Sequence, residues 1–153
     1  MRRLIVLLLF LGLGGCATTI PLPDKPIENN RTFEASYDKV WTATMQVLAE
    51  LTYSLRMADK NSGVIITDYV NFPGKEILRY AQYNRPFSDR FGRFKLNITI
   101  QKNDSDHIVK IISNIEAGLG LGRLSAPWVN RPSNGHLESM ILSKIQSKIL
   151  ELR

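Results

Sequence analysis

One residue of the chain combines a type and a position that suggest a specific covalent chemistry, the cysteine at position 16. It is the only cysteine among 153 residues. Met1-Arg2-Arg3 gives a charged start, an almost unbroken apolar run covers Leu4 to Leu13, and two glycines precede the thiol. A charged segment, an apolar segment and small residues in this order are typical of a secretory signal. The sequence therefore predicts export.

The tetrad Leu13-Gly14-Gly15-Cys16 resembles the lipobox of bacterial lipoproteins. The resemblance implies that residues 1–15 are a signal peptide and that the Cys16 thiol becomes a thioether to diacylglycerol, with palmitate-type acyl chains. Two or three chains make a stable anchor, because each buried methylene contributes about 0.8 kcal/mol and one chain binds only marginally. Ala17 stands where aspartate usually retains such proteins at the inner membrane. The resemblance thus implies the outer membrane, with the domain facing the periplasm.

Three other interpretations of the first residues carry less weight. A spanning helix needs about 18 apolar residues, and the run ends at the glycine pair. An ordinary secretory signal requires no cysteine, and a lone cysteine can also be a buried thiol. A single cysteine leaves no intrachain disulfide.

The remaining residues offer little catalytic chemistry. The two histidines, His107 and His136, lack the spacing of a metal site, and Gly118 to Arg123 lacks the Lys-Ser/Thr of a phosphate loop. We expect no enzyme, no cofactor and no metal. A pocket that brings His136 together with acidic residues would reopen the enzymatic alternative.

The segment Tyr69 to Phe94 interleaves tyrosines and phenylalanines with lysine and arginines, the residue types that anchor interfaces. Trp128, between Arg123 and Arg131, belongs to a second such segment. We predict a shared aromatic and basic surface if both segments lie at one end of the sheet. Stacking on sugar rings, or a basic face toward lipid headgroups, would also fit this composition. The remaining alternative is that the aromatic residues simply cover the sheet. The predicted partner-binding residues are Tyr80, Tyr83, Arg85, Phe87, Arg90 and Trp128.

Charge gives a weaker indication of the partner. The 20 basic and 14 acidic residues leave a formal net charge of +6. This basicity suits an anionic membrane surface or an acidic protein. Because the signal directs the chain to the envelope, we expect no nucleic acid partner.

The elements that must position these residues follow from hydrophobic periodicity. Residues 16–31 contain three prolines and read as a tether after the lipidated cysteine, and residues 32–153 as one domain. Helical spacing predicts helices over 37–51, with Ser36 as N-cap, and over 135–152, with Asn134 as cap. Strands are predicted at 32–35, 53–58, 64–70, 94–101 and 107–115. A helical turn is expected across 76–83.

Strands joined by local hairpins and covered by helices give an α+β fold. We predict an antiparallel sheet of about four to five strands, with one earlier helix and a long C-terminal helix packed on it. Three segments resemble the C lipoprotein of the outer-membrane β-barrel assembly machinery: Ser36 to Trp41, Leu48 to Leu55 and Asp59 to Thr67. The resemblance implies a helix-grip fold, here in one domain instead of two.

Two functions follow as hypotheses. The first is a non-enzymatic envelope lipoprotein whose domain binds a protein partner in outer-membrane assembly or maintenance. The second is a lipoprotein that binds a lipid or a small hydrophobic ligand between sheet and helix.

Overall fold

The computed structural model describes residues 27–82, 91–118 and 127–152. Within these ranges the protein has an antiparallel sheet of seven strands and three α-helices. The strands are β1 (Asn30–Phe33), β2 (Leu55–Asp59), β3 (Val64–Thr67), β4 (Val70–Pro73), β5 (Phe91–Asn103), β6 (Asp106–Gly118) and β7 (Trp128–Arg131). The helices are α1 (Tyr37–Glu50), α2 (Ile77–Tyr80) and α3 (His136–Glu151).

A long hairpin formed by β5 and β6 organises the sheet. Each strand has 13 residues, and the two pair along their whole length, from Asn103 opposite Asp106 to Phe91 opposite Gly118. On the outer side of β6, β1 pairs with the first half and β7 with the last residues. On the outer side of β5, β4 pairs with the first residues and β3 with the middle, and β2 follows β3.

The two faces of the sheet differ in burial because successive strand residues point to opposite sides. On β5, the side chains of Phe94, Leu96, Ile98 and Ile100 are buried against the helices. The residues between them keep part of their surface accessible, as do the corresponding residues of the other strands. We call this second surface, formed by the outward side chains of β2 to β7, the open face.

Helices α1 and α3 cover the other face. Their buried side chains recur at helical spacing and meet those of the sheet; they are Val40, Ala43, Thr44, Val47 and Leu48 in α1 and Leu137, Glu138, Ile141, Leu142, Ile145 and Ile149 in α3. The Lys148 ammonium joins the two helices through an ion pair of 2.7 Å with Glu50. The core therefore lies between the helix layer and the sheet.

Both predicted caps occupy the ends of their helices, in different ways. Ser36 is the N-cap residue of α1, but its hydroxyl makes no capping hydrogen bond. Asn134 accepts a hydrogen bond of 3.0 Å from the His136 amide at the start of α3, and Gly135, with φ of 83°, is the N-cap residue itself.

The predicted α+β class, antiparallel sheet and C-terminal helix are confirmed, whereas the predicted number of four to five strands is wrong. Strands β4 and β7 have four residues each and lie in segments where glycine and proline interrupt any pattern. They form because the central hairpin offers them a partner strand. In addition, β1 begins at Asn30, so Asn30 and Arg31, which the sequence assigned to the tether, pair with β6.

Candidate interaction surface

Two of the predicted site residues, Tyr80 and Trp128, fall within the described ranges. Cys16, Tyr83, Arg85, Phe87 and Arg90 lie outside the described residues. The structure therefore gives the surroundings of one residue from each of the two aromatic and basic segments.

Tyr80 belongs to an aromatic cluster on the core side of the sheet. Its ring centroid lies 5.2 Å from that of Phe72 and 5.7 Å from that of Phe94, both in edge-to-face geometry. The His136 ring lies 6.3 Å away, at the start of α3. Backbone bonds from Gln82 to the Pro132 carbonyl and from Asn134 to the Tyr80 carbonyl hold α2 to the segment before α3. Tyr80 is half-buried and engaged within the fold.

Trp128 lies on the opposite side, on the open face. Its register position is beside Gly118, and its indole lies across that glycine. The structure does not bring Trp128 and Tyr80 together, because the sheet separates them.

Trp128 instead contacts Arg93, which is held between two aromatic rings. The guanidinium carbon of Arg93 is 4.0 Å from the centroid of the Trp128 ring and 4.0 Å from that of Tyr69. The Arg93 Nε atom donates to Glu116 Oε2 at 2.6 Å, and Nη2 forms an ion pair of 2.5 Å with the same oxygen. Glu116 is the residue directly opposite on β6. We call Tyr69, Arg93, Glu116 and Trp128 the arginine stack.

The fourth contact of the stack runs from Tyr69 to Glu116. The Tyr69 hydroxyl donates to Glu116 Oε1 at 3.0 Å. Burial raises the pKa of the Tyr69 phenol, and the hydrogen bond to Glu116 raises this pKa further. The phenol therefore stays protonated at neutral pH and acts as a donor rather than as a base. Both oxygens of the Glu116 carboxylate accept hydrogen bonds, so the stack is a fixed arrangement of donors, acceptors and rings.

A cleft of about 460 Å³ adjoins the stack at the end of the sheet where β5 begins. Its walls on the open face come from Asn71, Pro73, Phe91, Arg93 and Trp128. Asn71 pairs with Arg93 and Pro73 pairs with Phe91, so the walls are two neighbouring cross-strand rows. The walls combine the rings of Phe91 and Trp128 with the polar groups of Asn71 and Arg93, and polar groups beside apolar side chains fix the orientation of ligands in binding sites.

The middle of the open face carries exposed apolar side chains with cations beside them. Met57 and Ile112 are 43% and 46% exposed. No carboxylate in the described part of the chain lies within ion-pair distance of Arg56, Lys95 or Lys110. We call Met57, Ile66 and Ile112 the apolar patch. We call Arg56, Lys95 and Lys110 its basic rim.

The structure describes the positions of both histidines. His107 is buried, and its Nδ1 lies 2.9 Å from the Ala35 carbonyl oxygen; His136 is exposed at the start of α3. The buried carboxylate nearby, Glu138, accepts hydrogen bonds from the hydroxyls of Ser113 and Ser133, and the latter is 2.9 Å long. Over residues 27–82, 91–118 and 127–152, no group of three or more His, Cys, Asp and Glu side chains could hold a metal ion.

The sequence pattern predicted Trp128 as a site residue but not Glu116, the residue opposite Arg93 across the central hairpin. Pairing residues outward from the turn between Asn103 and Asp106 puts Arg93 opposite Glu116. This register was therefore accessible from the strand pattern. The approach of Tyr69 and Trp128 was not, because it depends on β4 and β7.

None of the helices in the described ranges is both long enough and apolar enough to cross a bilayer. No protein-family model matches the chain, and no curated protein matches it in sequence.

Proposed function

We propose that the protein is a non-enzymatic envelope lipoprotein, held at the outer membrane by lipid on Cys16 with its domain in the periplasm. The domain binds a protein partner and serves as a scaffold in outer-membrane assembly or maintenance. The lipobox-like tetrad and the single cysteine support the anchor. The helix pair lying across one face of an antiparallel sheet supports our further proposal that the fold is of the helix-grip type.

The observation that carries the proposed partner binding is the arginine stack. Arginine, tyrosine and tryptophan are the side chains that most often dominate interface energetics. Here Arg93 and Glu116 stand on the two central strands, and the rings come from the neighbouring strands β4 and β7 or their ends. A partner would meet groups that are already ordered, which lowers the entropic cost of binding. The predicted residues Tyr83, Arg85, Phe87 and Arg90, which lie outside the described residues, remain part of the proposed partner-binding set.

The second proposed function, binding of a lipid or small hydrophobic ligand, is favoured by one feature. The cleft beside the stack has a volume within the range of small-molecule sites, about 300–1,000 Å³. The space between sheet and helices favours it less, because Leu96, Ile98, Ile111 and Leu142 fill that space and are fully buried.

Site-specific photo-crosslinking in cells tests the proposed partner. A photoreactive amino acid replaces exposed Asn71, which lies beside Arg93, and a matched control carries it at exposed Ser143 on α3. We expect a discrete protein adduct from position 71 that is absent from position 143. Changing Arg93 to Ala, or Tyr83 and Arg85 together to Ala, should reduce it at least tenfold. Equal adducts at both positions would contradict the proposed surface.

The anchor and the alternative function have separate tests. Cys16→Ser should prevent fatty acid labelling and release the protein from the membrane fraction; a variant that remains fully membrane-held would contradict the anchor. Native mass spectrometry of the purified protein tests the alternative. A co-purifying lipid that is lost in a Trp128→Ala variant would favour the ligand-binding function.

A further inference from the structure

The apolar patch spans the middle of the open face in a single cross-strand row. Met57 pairs with Ile66, Ile66 with Asn97, and Asn97 with Ile112. With strands about 4.8 Å apart, the row is about 15 Å wide. The two most exposed side chains of the row, Met57 and Ile112, stand at its ends, and half-buried Ile66 and Asn97 lie between them. Three of the four side chains in the row are therefore apolar.

The charges around the patch are predominantly basic. Arg56 lies at the bulge of β2, and its charge is close enough to Tyr69 to oppose the rise in the pKa of that phenol. Lys95 lies 5.4 Å from the same ring. Lys110 stands outward on β6 opposite Thr99. The Glu116 carboxylate is neutralised by Arg93. Asp59 shares the cross-strand row of Lys110, which runs through Val64 and Thr99, and Asp106 lies at the turn between β5 and β6.

We propose that the open face docks on an anionic lipid surface, with the apolar patch at the headgroup level and the basic rim against lipid phosphates. Exposed apolar side chains ringed by lysine and arginine, with tyrosine and tryptophan nearby, are the composition of membrane-interface surfaces. The apolar row crosses β5 at Asn97, about 13 Å along the strand from Arg93. The basic rim reaches the edge of the arginine stack, since the Lys95 ammonium lies 5.4 Å from the Tyr69 ring.

The length of the tether supports a lipid surface as the occupant of the open face. In this step the inference rests on the proposed anchor. The eleven links between Cys16 and Ile27 span at most about 40 Å, because an extended chain covers about 3.3–3.6 Å per residue. Ile27 itself packs against Gly135 on the folded domain. The anchored domain thus stays within one molecular diameter of the bilayer, where even weak surface binding is effective.

Charge also distinguishes the lipid surface from a second copy of the chain. A two-fold dimer through the open face would bring two basic rims together, and opposed like charges oppose association. An anionic bilayer presents the complementary charge over the whole area of the face.

Engineered thiols test the proposal in the full-length lipidated protein. Ile112→Cys places a fluorescent probe at the patch, and Ser143→Cys places the same probe on the helix side. The parent chain is the control for labelling, because a lipidated Cys16 has no free thiol. We expect the probe at 112 to be quenched by lipid-borne quenchers in vesicles with 30% phosphatidylglycerol, and the probe at 143 to remain in water. Changing Arg56, Lys95 and Lys110 to Gln should weaken the lipid contact on the order of a hundredfold, about fivefold per charge.

The outcomes separate this inference from the proposed anchor. Labelling of the parent chain, or failure to float with vesicles lacking phosphatidylglycerol, would contradict the anchor. The inference survives that result if the probe at 112 still enters anionic vesicles without an anchor. The inference is overturned if the probe at 112 stays in water on anionic vesicles, whether or not the protein is anchored. The open face would then be assigned to an acidic protein partner.

Discussion

The arginine stack should contribute measurably to the stability of the domain, and the structure allows its size to be worked out. The side chains of Arg93 and Glu116 are 24% and 16% exposed, so their ion pair is partly buried. Its short charge-assisted hydrogen bond and the second ion-pair contact should give a coupling of about 1–2 kcal/mol. Each ring beside the guanidinium adds about 0.5–1 kcal/mol. We therefore expect Arg93→Ala to lower the free energy of unfolding by about 2–4 kcal/mol.

A double-mutant cycle isolates the ion pair from the ring contacts. Arg93→Ala, Glu116→Ala and the double variant are unfolded in urea and followed by far-ultraviolet circular dichroism, because fluorescence would report changes around Trp128 itself. The double variant should be more stable than the sum of the single losses implies, by the coupling of about 1–2 kcal/mol. Lys110→Ala is the matched control, an exposed cation on the next strand, and should change stability by less than about 0.5 kcal/mol.

A coupling below about 0.5 kcal/mol would refute this reasoning, since it is typical of a surface ion pair that water screens. Equal losses in Arg93→Ala and Lys110→Ala would have the same meaning. In either case the contacts within the stack would contribute little to stability, and the stack would not be the ordered surface that the proposed partner binding requires.

Three further predictions concern the frame that carries this surface. Gly63→Ala should destabilise by about 2–4 kcal/mol, because Gly63 has φ of 70° and an added Cβ would overlap a backbone carbonyl of β5; thermal unfolding measures this. Gly92→Ala should be destabilising, because its Cβ would overlap the packed ring of Phe72, whereas Gly118→Ala, with 3.4 Å to the nearest atom, should be tolerated; equal melting temperatures would contradict the packing. The pKa of Tyr69 is raised from 10.0, so its phenol stabilises the folded state below that pH, and this stabilisation is lost as the pH rises above it. Tyr69→Phe should therefore reduce the loss of the free energy of unfolding at alkaline pH, which urea unfolding at a series of pH values measures.

The centre of the fold could be predicted because its sequence pattern is strong. Strict alternation over Phe94 to Gln101 requires one buried and one wet face, and the polar turn at 103–106 fixes an antiparallel partner. The helices follow from apolar residues at helical spacing. Each of these elements could therefore be predicted from its own segment of the sequence.

The short strands could not be predicted for a physical reason. Residues 70–73 and 128–131, which form β4 and β7, include Pro73 and Asn130, which disfavour strands. Their extended conformation is stabilised by hydrogen bonds to the hairpin rather than by local preference. The positions of Tyr69 and Trp128 therefore become known only once the tertiary pairing is known.

The arginine stack also links strand pairing to surface chemistry. Arg93 stands on β5, Glu116 on β6 and Trp128 on β7, while Tyr69 immediately precedes β4. The contacts among them thus tie both of the short strands at this end to the central hairpin. A substitution in the stack should loosen β4 and β7 as well as remove a contact for the partner. Loss of binding in such a variant is evidence for direct contact only when the circular dichroism and the unfolding midpoint show that the sheet has remained intact.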